Sequence, residues 1–432
     1  MNRDTSLVED TTASLSVWIV GDTSEGYAPI ISGFQATYPE YKNIKIEFKK
    51  FASWRDYHRT IMSVLANNEG PDIFVVPEGE DSFLIDRIAP LPEWVVDTNK
   101  FLREYEGFFI DDLITETDNT GSTVSALRGV PLGYETLGIF YNKDIIPTPP
   151  KTWDELDQII DGNLDPNVVP FGIGLSPRFI PEAAEIIVSL SPWVTSFEWL
   201  SSSEWWELYR SYAERVSTQS EAGEKVSLMS LIPFMNAESP ELTVYDLFMR
   251  GKVGAIFGYP STVRNIELAK KRAGGSAVDS IILTAGLPVM KNDVALKYPV
   301  SYWYFAISSQ TKNARAAWKF LRYLMSDDAE KQFLKSFPTY IAAKTSFHDA
   351  QRDTSLSSMF ARAKLWNFMG ENRKYFSFQY GLKSDFDSYL NTYMERSKNI
   401  SMSTLLRRVS EAVQCEIDHI AQKRMEVECG QE

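Results

Sequence analysis

The residues best suited to metal binding or nucleophilic chemistry are few in this sequence and far apart. The three histidines, His58, His348 and His419, fall in no metal-ligand spacing. Cys415 and Cys429 form no CxxC pair, so they predict neither a redox motif nor a disulfide framework. We therefore expect a protein without a metal ion or another cofactor.

Motifs of the common enzyme classes are also missing from the sequence. There is no P-loop, no GxSxG turn and no complete GxGxxG, since FGIG at 171–174 matches only two of its three glycines. One acidic run lacks the alternating acids of an EF-hand and is interpreted as a solvated loop: Asp111, Asp112, Glu116 and Asp118. The 58 acidic residues allow many carboxylate pairs, so a glycosidase using Asp22 or Glu135 stays a less favoured alternative.

Apolar and polar residues alternate in a way that predicts strands separated by helices. Strands are expected at 15–20, 44–48 and 71–76, and helices at 30–38 and 53–67. Repeated strand–helix–strand units are typical of an α/β fold with a mainly parallel sheet and right-handed crossovers. Three polar residues are expected to cap helix N-termini: Ser53, Thr152 and Asn313.

Composition narrows the class of protein. The chain has 432 residues, 44% of them hydrophobic and 24% charged, which is typical of a folded protein of two to four domains or two large lobes. A net charge of −14 argues against a nucleic-acid partner and against adsorption to an anionic membrane. No apolar run approaches the roughly 18–20 residues that span a bilayer.

Seven short motifs, in chain order, together resemble the extracellular solute-binding proteins of ABC importers, in particular the sugar-binding, maltose-binding-protein-like branch. Each motif alone is weak evidence for the family, and the resemblance depends on all seven occurring in the same order along the chain. They are LSVWIVGD at 15–22, EGPDI at 69–73, GVPLGYE at 129–135 with FYNKD at 140–144, PKTWDEL at 150–156, FMRGKVGA at 248–255, GLP at 286–288 and AAWKFL at 316–321.

The resemblance implies an α/β fold of two lobes, the periplasmic-binding-protein fold, with a ligand cleft and three hinge crossings. Ligand binding is expected to close the lobes about those hinges. Residues 1–13 are expected to form a flexible tether. Lobe 1 is expected at 14–135 and 288–340, lobe 2 at 140–282 and 344–432, and the hinges near 133–139, 282–287 and 337–343.

The resemblance also implies polar residues that hydrogen-bond a ligand. Asp22 and Thr23 follow the first strand at family positions that bind ligand hydroxyls, although an Asx turn would explain the same residues. Tyr134 and Glu135 match the first crossing, whose acid contacts sugar in the family, and a hinge role is the alternative. Glu78 follows the 71–76 strand, where the family's Trp is missing.

Sugars present apolar C–H faces, so aromatic platforms are expected beside the polar groups. Trp193 and Tyr259 are candidates, with core packing as the alternative for Trp193. Ser261 stands where the maltose-binding branch has a stacking Trp, which argues against a maltodextrin ligand. In the aromatic run at 302–304, strand alternation places either Trp303 or its two tyrosine neighbours toward the ligand, and we favour Trp303.

We therefore predict a non-catalytic, monomeric protein that captures a small neutral carbohydrate and delivers it to an ABC permease in the membrane. The start of the chain does not read as a signal peptide, so an extracytoplasmic location, periplasmic or as a lipoprotein, assumes that an export signal was removed. The alternatives are a sensory or chemotaxis module with the same ligand-binding mechanism, or the same fold binding a polyamine, a peptide or a metal chelate.

Overall fold

The computed structural model describes most of the N-terminal half of the chain and selected segments of the rest. The chain folds into two compact units, residues 1–134 with 302–348 and residues 135–301 with 349–432. The lobe and hinge boundaries expected from the sequence stay a prediction. The described residues are 14–21, 23–78, 84–92, 95–119, 122–162, 217–219, 225–227, 244–274, 282–288, 297–356, 364–369 and 374–376.

Both units contain strands and helices, which alternate over residues 14–77, whereas four strands follow one another over residues 114–142. The described strands are β1 (Ser14–Val20), β2 (Lys45–Phe51), β3 (Ile73–Pro77), β4 (Ile88–Ala89), β5 (Ile114–Asn119), β6 (Ser122–Leu127), β7 (Gly129–Thr136), β8 (Gly138–Asn142), β9 (Ser217–Gln219), β10 (Lys225–Ser227), β11 (Ala255–Gly258), β12 (Ile282–Ala285), β13 (Lys297–Ser308), β14 (Ile341–Ala342) and β15 (Lys374–Phe376).

Helices connect some of these strands. None of the described helices combines the length and apolar composition that crossing a membrane requires. The described α-helices are α1 (Ala28–Thr37), α2 (Trp54–Ala66), α3 (Thr98–Glu104), α4 (Gly107–Leu113), α5 (Trp153–Asp161), α6 (Val244–Met249), α7 (Val263–Ala273), α8 (Ala314–Leu324), α9 (Asp327–Ser336), α10 (His348–Gln351) and α11 (Trp366–Met369).

The first unit is organised around a sheet with the strand order β14-β7-β13-β3-β1-β2. Strand β1 pairs in parallel with both β2 and β3, whereas β13 runs antiparallel to β3. The strands β1 and β3 are almost continuously apolar and buried, as expected for parallel strands covered on both faces. Strand β2 lies at the edge and alternates between exposed and half-buried residues.

The carboxylate of Asp72, immediately before β3, joins three elements of this unit. Its Oδ2 accepts a hydrogen bond from the backbone N–H of Ser16 in β1 at 2.9 Å. Its Oδ1 accepts hydrogen bonds from the Thr311 hydroxyl and, at 3.2 Å, from the Asn313 side-chain amide, both before α8. The Asp72 carbonyl also accepts from the backbone N–H of Ser308 at 3.0 Å. One residue therefore aligns β1, β3 and the entry to α8.

Two of the three predicted helix caps are confirmed, and the third is wrong. Ser53 and Thr152 accept hydrogen bonds from the backbone N–H of the residue three positions later, both at 3.2 Å. Helix α8 does begin after Asn313, but that side chain makes no capping hydrogen bond. Its amide instead donates to the Ser14 carbonyl at 3.1 Å and to Asp72, because tertiary acceptors lie within its reach.

A buried ammonium group fixes the end of the first unit just after β14. Lys344 is 1% exposed, and its Nζ donates to Asp327 Oδ1 at 2.7 Å and to the Met325 carbonyl at 2.8 Å. Carboxylate oxygens of Glu104 and Glu330 lie 3.8 and 3.9 Å from the same nitrogen. A buried charge needs such partners because its transfer out of water is costly.

The second unit contains a three-stranded sheet of order β11-β8-β12, in which both outer strands are antiparallel to β8. Helices α6 and α7 are joined by a bidentate ion pair. Arg272 donates from two nitrogens to the two carboxylate oxygens of Asp246, at 2.8 and 2.9 Å, and Asp246 is 2% exposed. Such two-point pairs fix orientation as well as distance.

We expect Asp72→Ala to lower the free energy of unfolding by about 3 kcal/mol, because it removes a charged acceptor shared by several donors. Urea unfolding followed by circular dichroism measures the change. Asp353→Ala is the matched control, since the Asp353 side chain is 98% exposed, and should cost less than about 0.5 kcal/mol. Equal effects of the two substitutions would show that Asp72 does not anchor these elements.

The stability of the protein should depend on pH through Glu330. Burial raises the pKa of Glu330 to about 7, although hydrogen bonding and attraction to Lys344 oppose the rise. Between its ordinary pKa and 7, the folded state therefore holds a proton that the unfolded chain releases, and stability falls as pH rises through that window.

We expect Glu330→Gln and the wild type to be similarly stable at pH 5. At pH 8 the variant should be more stable by about 3 kcal/mol, since it avoids burying the charge. Urea unfolding at both pH values tests this, with Glu40→Gln as an exposed control. A difference between variant and wild type that does not change with pH would contradict the raised pKa.

Candidate functional site

Three of the predicted ligand residues lie at one edge of the sheet in the first unit. Thr23 and Glu78 follow β1 and β3, and these strands are parallel, so their carboxyl ends meet at the same edge. Trp303 in the antiparallel strand β13 pairs with Pro77 at that edge. The edge beyond the carboxyl ends of parallel strands is the usual ligand position in open α/β sheets.

The turn after β1 presents Thr23 to solvent. Gly21 has φ +77°, a left-handed conformation that side chains rarely adopt, and its N–H donates to the Phe51 carbonyl at 3.1 Å. The Thr23 carbonyl accepts from the Gly26 N–H at 3.1 Å, and the Thr23 side chain makes no capping hydrogen bond. The turn is therefore closed by the Thr23 backbone, and its exposed side chain makes no capping bond.

Glu78 is held against β13 by two hydrogen bonds to one residue. Its carboxylate accepts from the backbone N–H of Tyr302 at 3.1 Å, and its own N–H donates to the Tyr302 carbonyl at 3.1 Å. This arrangement fixes the carboxylate at the end of β3, where the sequence predicts a candidate acid.

A pair that the sequence does not indicate, the buried Tyr302 and the half-buried Asp112, lies beside Glu78. The Tyr302 hydroxyl donates to Asp112 Oδ2 at 2.5 Å, and its ring packs on Phe108 and Phe109. Burial, followed by the charge of Asp112, raises the pKa of Tyr302 well above its ordinary value, so the hydroxyl keeps its proton. The interpretation of Asp112 as part of a solvated loop misses this pair, because no local pattern shows a partner 190 residues away.

Trp303 packs in the core of the first unit. It is 8% exposed, its ring meets Phe305 and Phe333 edge-on, and its Nε1–H donates to the Tyr340 hydroxyl at 3.4 Å. Both neighbouring tyrosines are buried as well. The alternation of strand residues therefore does not leave one of the three rings exposed.

Tyr134 is fully buried at the end of the first unit. Its ring meets Phe108 and Phe109 edge-on, with centroids 5.2 and 6.1 Å away, and lies 6.2 Å from the His348 ring. Ile341 of β14 is its strand partner. The surroundings of Tyr134 are those of an aromatic core residue.

In the second unit the structure brings two predicted residues into direct contact. Glu135 is 8% exposed, and its carboxylate accepts from the Ser261 backbone N–H at 2.6 Å and from the Ser261 hydroxyl at 2.9 Å. Tyr259 is half-buried and precedes Ser261 in the same short loop. Asp22 and Trp193 lie outside the described residues. Among the residues that are described, no cluster of His, Cys, Asp and Glu could hold a metal ion.

Comparison with known proteins identifies the class of protein. The sequence pattern of bacterial extracellular solute-binding proteins matches residues 31–357, about three quarters of the chain. The chain belongs to this solute-binding protein family. The membership in this family that the seven ordered motifs predict is confirmed. The family's description as extracellular places its members outside the cytoplasm.

Relatives of this solute-binding protein include the maltotriose-binding protein of Pyrococcus abyssi. The two sequences are 22% identical over 281 residues, which cover 63% of this chain and 54% of the relative. The chain thus spans about half the length of the curated relative that it matches.

Solved structures of similar fold confirm the predicted fold class of the solute-binding protein. The sugar-binding protein MalE from Xanthomonas citri superposes with a TM-score of 0.60 at 15% identity, covering 95% of this chain and 98% of its own. A cyclo/maltodextrin-binding protein complexed with maltotetraose gives a TM-score of 0.59 at 15% identity, and the superposition covers 96% of this chain and 97% of that protein's chain.

Because Trp303 of this solute-binding protein is buried, we expect Trp303→Ala to lower the free energy of unfolding by about 3–5 kcal/mol. Trp303→Phe should cost about 1–2 kcal/mol, since it keeps the ring packing. Circular dichroism melts measure both, and Trp54→Ala is the matched control because Trp54 is 37% exposed. A cost for Trp303→Ala no larger than the control's would contradict a core role.

Proposed function

We propose that this chain is an extracytoplasmic binding protein that captures a small neutral carbohydrate and passes it to an ABC permease. The observation that carries the proposal is the family match over 31–357, to which the likeness in fold to sugar-binding proteins adds support. The name of the Pyrococcus abyssi relative points to the same class of solute.

The described candidate residues fit a neutral, hydroxyl-rich solute. Glu78 and Glu135 offer carboxylate acceptors that backbone N–H groups already orient, and Thr23 offers an exposed hydroxyl. Tyr259 supplies a half-buried ring of the kind that packs on the C–H face of a sugar. We propose these four residues as direct contacts, together with Asp22 and Trp193 from the sequence resemblance.

The buried aromatic residues have a different proposed role. Tyr134 and Trp303 pack among other rings of the first unit, so we propose that they support the strands that carry the contact residues. We propose capture without chemical change because the family is described as solute-binding. We propose a periplasmic or lipid-tethered location because the same description calls the family extracellular. Closure of a cleft around the solute stays a prediction of the sequence resemblance.

Thermal unfolding in the presence of maltose, maltotriose, other neutral sugars, spermidine and a tripeptide tests the proposal. A solute at about 100 times its Kd should stabilise the fold by roughly 2.7 kcal/mol, a shift of a few degrees. We expect a shift with one class of sugar, and mass spectrometry should recover that sugar unchanged.

Thr23→Ala should reduce the ligand-induced shift without changing the melting temperature of the unliganded protein, because the exposed side chain closes no turn. Thr37→Ala, at an exposed position on α1, is the matched control. A shift with spermidine or the peptide alone would overturn the carbohydrate proposal, and consumption of the sugar would overturn the binding-only function.

A further inference from the structure

In the second unit, Ser261 follows strand β11 and Glu135 precedes its pairing partner, strand β8. Strands β11 and β8 are antiparallel, with Ala255 opposite Tyr141 and Gly258 opposite Gly138. The ladder ends at Gly258 and Gly138, and Ser261 lies three residues after the first of these and Glu135 three residues before the second. The Glu135 side chain makes the contact with Ser261 beyond the end of the ladder.

Ser261 engages both oxygens of the Glu135 carboxylate. The backbone N–H donates to Oε1 at 2.6 Å, and the hydroxyl donates to Oε2 at 2.9 Å. Two donors from one residue fix the plane of the carboxylate as well as its position. Hydrogen bonds to a charged acceptor are about twice as strong as those between neutral groups.

The loop that carries Ser261 is itself tightly constrained. A side-chain carbon at Gly258 would lie 2.6 Å from Thr262 Oγ1, so only glycine fits there without a shift. The Thr262 N–H donates to the Tyr259 carbonyl at 2.9 Å, closing a 3₁₀ turn, Pro260–Thr262, that leads directly into α7. The Ser261 N–H thus points out of the first turn of a helical segment, where a negative charge is stabilised.

We infer that Ser261 is a positioning residue that holds Glu135 as a fixed acceptor for hydroxyl groups of the solute. This inference rests on the proposed function and deepens it. An ionised carboxylate is an acceptor for hydroxyl donors, and its orientation decides which donors it can reach. Ser261 therefore affects affinity through Glu135, whereas a stacking residue at this position would act on the solute directly.

A double-mutant cycle without ligand tests the contact itself. Ser261→Ala should lower the melting temperature of the unliganded wild type by about 3 °C, because it removes the hydroxyl bond to the carboxylate. The same substitution in a Glu135→Ala background should have no further effect. Ser309→Ala, at an exposed position outside the candidate residues, is the matched control. Additive shifts would overturn the inference whatever the solute is.

Calorimetric titration with maltotriose, or with the neutral sugar that gives the largest thermal shift, tests the effect on binding. We expect Ser261→Ala to weaken affinity about tenfold and Ser261→Thr, which keeps the hydroxyl, to bind within about twofold of the wild type. In the Glu135→Ala background, at millimolar sugar, Ser261→Ala should cause no further loss.

Each other outcome has a definite meaning. An equal loss of affinity in both backgrounds would show that Ser261 contacts the solute directly and would overturn the positioning role. A lower melting temperature with unchanged affinity would make the role purely structural and would also overturn it. Failure of the proposed function would be seen as wild-type protein that binds none of the sugars. Failure of the inference looks different, because the wild type then binds a sugar but the double-mutant cycle shows no coupling between Ser261 and Glu135.

Discussion

The alignment of β1 with β3 is the constraint on which the first unit depends, and a single carboxylate maintains it. Asp72 binds the backbone of β1, the residues that lead into α8 and the end of β13. Because the two strands are parallel, fixing their starting ends also fixes where they finish. Thr23 and Glu78 follow the carboxyl ends of the two strands. Their position side by side therefore results from an interaction near the amino ends of the same strands.

Both candidate acids, one in each unit, are held in the same manner. The Glu78 carboxylate accepts from the backbone N–H of Tyr302, and that of Glu135 from the N–H of Ser261. A backbone donor cannot rotate away, so each carboxylate is held in a fixed orientation. Two buried aromatic residues lie close to these acids in the sheet: Tyr134 precedes Glu135 in β7, and Trp303 in β13 is the strand partner of Pro77, which precedes Glu78.

Local patterns predict much of the fold, whereas long-range contacts set the details of the candidate site. Strands β1 to β3, helices α1 and α2 and the caps at Ser53 and Thr152 follow from short periodic segments. The local pattern at Asn313 predicts a cap for α8, but Asp72, far away in sequence, takes its amide. The burial of Trp303 and the contact between Glu135 and Ser261 likewise depend on pairing between distant strands, which no local pattern encodes.

Edge strand β2 has a consequence for how the protein behaves when it is concentrated. Its sequence, KIEFKKF, places three lysines and one glutamate along a strand that pairs with β1 on one side. A second copy that extended the sheet through this edge would bring two positively charged strands together. The repulsion between the lysines opposes association of two copies through this strand.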